Sequence, residues 1–142
     1  MKNFAKRLIA HEARGYKSDQ TKAAAAFRVC EKLHRPLAAL MGNGGFRTLL
    51  SRSLVLATME VPWLGAVRVK GDGSLEGTED VPSQSGPDKG LEGGVVLLAQ
   101  LLGLLMALIG EVLTLRLVGE LYPKAWVNVL DLVNGDKNEK TK

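Results

Sequence analysis

Residues 93–110 read GGVVLLAQLLGLLMALIG, eighteen positions without a charged side chain in a chain that is otherwise rich in charge (24% Asp, Glu, Lys and Arg over 142 residues). As a helix this stretch spans about 27 Å at 1.5 Å per residue, close to the ~30 Å hydrocarbon thickness of a bilayer. Its leucines, valines and single isoleucine each favour insertion by roughly 0.3–0.6 kcal/mol. Against insertion stand Gly93, Gly94, Gly103, Gly110 and Gln100, whose amide needs a partner away from water. The flanks, Glu92 and Glu111, carry no Lys/Arg cluster to set an orientation. A helix apolar on all sides is either the centre of a globule or a membrane span.

The neighbouring sequence favours the first. Phe4, Leu8 and Ile9 mark an amphipathic helix over about 3–14, with Gly15 as its stop. Ser18 or Asp19 caps a second, about 20–41, in which Ala26, Cys30, Leu33, Leu37 and Leu40 share one face. Glu31 is expected to pair with Arg35. Pro36 predicts a kink or break near Arg35. Gly42-Asn43-Gly44-Gly45 ends that helix, and Phe46 opens a third to about Thr58, burying Phe46, Leu49, Leu50, Leu54 and Ala57. Three amphipathic helices need an apolar partner, which the long helix, expected over about 92–122, supplies.

Between 65 and 77 the pattern alternates, with Val67 and Val69 on one side and Arg68 and Lys70 on the other. Asp72-Gly73 signals a hairpin with a type I′ turn. Pro, Gly and Ser mixed with acids make 78–90 a loop, and the polar tail 134–142 reads as disordered. The expected fold is therefore mainly α, a helical bundle around one long apolar helix with a short β-hairpin. Residues 1–133 are read as a single domain.

Net charge is +4 but uneven: residues 1–58 hold eleven basic and three acidic side chains, and residues 59–92 three basic and seven acidic. Lys6, Arg7, Arg14, Lys22, Arg28, Lys32, Arg35, Arg47 and Arg52 form a candidate basic surface. It suits nucleic acid, anionic lipid or an acidic partner, or simply solvation of helix faces. No helix-turn-helix, zinc-finger or RNA-binding signature accompanies it, and aromatic residues for base stacking are few.

Chemistry is sparsely provided. His11, His34 and Cys30 are the only His and Cys residues, too few for structural zinc. Cys30 and His34 lie one turn apart, yet both fall on or beside the buried stripe. Gly42-Asn43-Gly44-Gly45 resembles an anion cradle but lacks the P-loop Lys-Ser/Thr and a preceding strand, and a helix cap explains the glycines. Glu76, Glu79, Asp80, Asp88 and Glu92 lack metal-loop spacing. No cofactor is expected, and no catalytic residue is nominated.

Ala99, Gly103 and Ala107 repeat every four residues, a small-residue ladder that lets another helix approach closely. Arg116 and Glu120, farther along the helix, are spaced to pair. Trp63 and Trp126 are expected to anchor the hairpin and the C-terminal turn. The single cysteine and the charge-interrupted N-terminus predict a cytoplasmic protein without a secretory signal. The expected role is a non-enzymatic interaction or assembly subunit that self-associates or docks into a larger complex. The alternatives are a small membrane protein anchored by 93–110, with its N-terminal region cytoplasmic, and a basic nucleoprotein subunit.

Overall fold

The computed structural model describes residues 2–13, 22–76 and 87–122. They form α1 (Lys2–Ala13), α2 (Lys22–Lys32), α3 (His34–Glu60), a short 3-10 helix (Pro62–Ala66), β1 (Arg68–Val69), β2 (Leu75–Glu76), α4 (Pro87–Ile109) and α5 (Glu111–Leu121). The protein is a mainly α bundle around one long apolar helix, with a two-stranded antiparallel hairpin.

That central helix is α4, which packs against α1, α2, α3 and α5. Every residue from Gly93 to Ala99 is buried, so all its sides are covered there. Leu97, Leu98, Leu101 and Leu102 are fully enclosed. Each such leucine contributes about 1.5–3 kcal/mol through removal from water. Beyond Leu102 one side of the helix emerges, while Leu105, 1% exposed, stays in the core. Gly103 and Leu104 are half-buried, and Ala107 and Leu108 are exposed. Gln100, the one polar side chain in the run, sits half-buried at the edge of the enclosed part.

The helix expected over 92–122 is two helices. Gly110 adopts φ 92°, ψ 157°, a region essentially reserved for glycine. Its N–H donates to the Met106 carbonyl at 3.0 Å, closing α4. Its own carbonyl accepts from the Thr114 N–H and, at 2.8 Å, from the Thr114 hydroxyl, opening α5 and satisfying a buried polar group. At its other end α4 begins at Pro87, inside the segment expected to be loop; proline suits a first helical position because its missing N–H would have no partner there. Residues 77–86, 123–133 and the tail 134–142 lie outside the described residues.

The helix expected over 20–41 also divides, at Leu33 rather than Arg35. Pro36 has no N–H to give the Lys32 carbonyl one turn back, so the interruption falls there. Bonds from Leu33 N–H to Val29 and from Leu37 N–H to Leu33, both 3.1 Å, carry the helical register across. Ala26, Cys30, Leu33 and Leu37 therefore keep one buried face, while Leu40 is half exposed. Gly42 kinks α3 at φ 82°, ψ 158°. Helical geometry resumes at once, so residues 43–45 are helix instead of linker, and the segment extends to Glu60. Phe46, Leu49, Leu50, Leu54 and Ala57 are all buried.

In the hairpin, Arg68 pairs with Glu76 and Val69 with Leu75. The turn is not type I′. Asp72 keeps negative φ, and only Gly73, at φ 87°, is left-handed. Gly73 N–H donates to the Lys70 carbonyl and Lys70 N–H to the Ser74 carbonyl. This is the three-residue loop in which a type I turn precedes a glycine bulge. The Asp72 carboxylate accepts from the Ser74 N–H at 3.0 Å and the Ser74 hydroxyl at 2.6 Å. Those two bonds, the hydroxyl first, hold the Asp72 carboxyl below its ordinary range.

Candidate functional site

Helix α1 turns Ala5, Leu8, Ile9 and Glu12 inward, so a carboxylate lies on the buried stripe. Glu12 is 6% exposed and is held from two other helices. The Tyr122 hydroxyl, just past α5, donates to Glu12 Oε1 at 2.9 Å. The Lys32 ammonium, at the end of α2, lies 2.8 Å from the same oxygen and 5.6 Å above the Tyr122 ring. A buried carboxylate is stable only when paired and hydrogen-bonded, and this cluster meets both conditions while tying α1, α2 and the end of α5 together. Sequence reading missed it, although Glu12 stands four residues after Leu8 on an apolar face.

A second polar cluster seats the hairpin on the α3 kink. His34 Nε2 and Asn43 Oδ1 are 2.7 Å apart, and Asn43 Nδ2 donates to the Gly71 carbonyl at 3.4 Å. The imidazole stacks on Phe46 at 4.8 Å between centroids and closes over Gly73. Glu31 does not pair with Arg35. Its carboxylate accepts from the Leu75 N–H at 3.5 Å, directing α2 toward the hairpin. His34 is thus a structural contact.

Cys30 is fully enclosed; burial first, and the Glu31 charge second, push its thiol up to about 12. Such a thiol is not a nucleophile near neutral pH. Among the described residues no group of three or more His, Cys, Asp and Glu could hold a metal ion. Glu76 and Glu92 are exposed; Glu79 and Asp80, and the side chain of Asp88, lie outside the described residues.

The basic candidates Lys6, Arg7, Arg28, Lys32, Arg35, Arg47 and Arg52 are exposed. Lys32 is already committed to Glu12. Arg14 and the side chain of Lys22 lie outside the described residues. The small-residue ladder is divided by the emergence of α4. Ala99 is in the core, and Ala107 is at the surface. A Cβ on Gly103 would meet no atom within 4 Å. Beside Ala107, Leu108 is 64% exposed, and Val112, across the Gly110 break, is 77% exposed. Val55 and Met59 form a second apolar pair on the outer side of α3, at 63% and 79%.

The fold thus defines a small helical bundle with an apolar corner where α4 meets α5. No protein-family model matches the chain, and comparison with curated proteins and with solved structures gives no significant match.

Proposed function

We propose that this protein is a non-enzymatic helical interaction subunit of the cytoplasm, which self-associates or docks into a larger assembly through the end of α4 and the start of α5. One observation carries this reading: Leu108 and Val112 stand 64% and 77% exposed beside exposed Ala107, where the apolar helix leaves the core. Large aliphatic side chains grouped at a corner gain most when a partner removes them from water. The open surface at Gly103 extends the same contact edge inward along α4. The test is the mass of the purified chain in detergent-free buffer, by light scattering over a concentration series. Self-association gives a mass that rises to a multiple of the chain mass. A monomer at every concentration, with no partner recovered in pull-downs, removes the proposal.

Two other readings keep specific support. The window Glu92–Ile109 is long and apolar enough to cross a membrane, although 56% of it is buried against its own chain, as in the core of a soluble bundle. Recovery of the protein in the soluble fraction without detergent argues against a membrane anchor. The exposed arginines of α2 and α3 support a nucleoprotein subunit, and such binding must weaken as salt rises.

A further inference from the structure

The side of α5 turned away from the core carries a charge pattern that complements itself. Thr114, Leu115 and Val118 face inward; Val112, Arg116 and Glu120 are exposed. Arg116 and Glu120 are one turn apart, yet neither forms an ion pair with a described residue. The order, base before acid, is the weaker one for pairing along a helix. Val112, Arg116, Gly119 and Glu120 line a groove of about 350 Å³.

We propose that a second copy of this chain docks on this face, α5 against α5 in antiparallel orientation about a twofold axis, an inference that rests on the self-association proposed above. In a twofold contact each residue pair occurs twice with the roles exchanged. Placing Arg116 opposite the partner's Glu120 therefore places Glu120 opposite the partner's Arg116. A parallel arrangement in register would instead set Arg116 against its own copy and Glu120 against its own copy, which like-charge repulsion disfavours. Gly119 falls beside the axis, where the absence of a side chain lets the helices approach. In this register the two α5 helices overlap from Leu115 to Leu121 on each copy, and Val112 lies just outside the overlap. That overlap is about 10 Å long at 1.5 Å per residue, so the contact is small and the dimer weak.

The test is sedimentation equilibrium of the full chain, wild type against Arg116→Glu, Glu120→Arg and the double exchange. All substituted positions are exposed, and circular dichroism verifies that each variant keeps its helices. Each single variant places like charges opposite one another twice per dimer. Its dissociation constant is expected to rise about tenfold, or about 1.4 kcal/mol. The double exchange is expected to return within about twofold of wild type, because the complementarity is restored. Added salt weakens the wild-type dimer and strengthens the single variants, since it screens attraction in one and repulsion in the other. If the wild type self-associates but the single variants match it, the α5 contact is overturned while self-association stands. If the wild type is monomeric throughout and no partner is found, self-association falls as well.

Discussion

The benzo edge of the Trp63 indole occupies the place where a side chain on Gly93 would stand. A Cβ built there would overlap ring atom Cζ2 and come to 2.9 Å of Cη2. The 3-10 helix is thereby fitted to the first enclosed turn of α4. Close packing has little room for added atoms, so Gly93→Ala is expected to cost about 1–3 kcal/mol in urea unfolding. Trp63→Leu should remove most of that penalty when combined with it. Additive effects of the two substitutions would show that the two residues are not coupled.

Two glycines end helical runs for conformational reasons. Gly42 and Gly110 share a φ, ψ region that other residues avoid, and a methyl group at either position would meet no atom within 4 Å. Strain alone decides these sites, so Gly42→Ala and Gly110→Ala should each destabilise by about 1–3 kcal/mol. Gly103 is the contrast, helical and open. Gly103→Ala is expected to stabilise the folded chain by roughly 0.5–1 kcal/mol. Thermal melting of the three variants gives the signs directly.

Tyr122→Phe deletes a hydrogen bond to a carboxylate that stays buried. A loss of about 1.5–3 kcal/mol is expected. Lys32→Met removes the cation, which is about half exposed, so solvent screening limits its effect to roughly 1 kcal/mol. The two changes act on one oxygen of Glu12, and their combined effect should differ from the sum. Chemical denaturation of the four proteins tests this; strict additivity would contradict a shared network.

Cys30 makes stability fall in alkali. Its thiol is raised in the folded chain from an ordinary value of 9.0 to about 12, so the folded state holds a proton that the unfolded state releases. That contribution is complete below pH 9 and is lost as pH rises toward 12, by at most about 1.4 kcal/mol per pH unit. Other groups titrate in the same window. The measurement is therefore the difference between wild type and Cys30→Ala, which should narrow as pH rises from 9 to 12. A constant difference would contradict it. The same burial predicts that Cys30 reacts with thiol reagents only on unfolding.

Periodicity exposed the apolar faces of α2 and α3 because each residue there answers to a single partner, the core. It also located α4, in which Leu97, Leu98, Leu101, Leu102 and Leu105 are enclosed. Helix ends were less legible. Gly110 lies within an apolar stretch that suits continued helix, and its break depends on backbone angles that Thr114 then stabilises. Pro36 signalled an interruption, but the missing bond belongs to Lys32, which moves the break toward the N-terminus. The Glu12 cluster was out of reach for a different reason. Its partners come from α2 and from the residue after α5, and only tertiary packing brings them to one carboxylate.

That carboxylate and its tyrosine are separated by 110 residues. At typical synthesis rates of about 5–20 residues per second, Tyr122 follows Glu12 by roughly 5–20 s. Docking α1 before then would bury Glu12 short of the hydroxyl that holds it. The polar anchoring of the helix that carries Ala5, Leu8 and Ile9 is therefore completed only once Tyr122 has been made, a span of chain that includes every other described element.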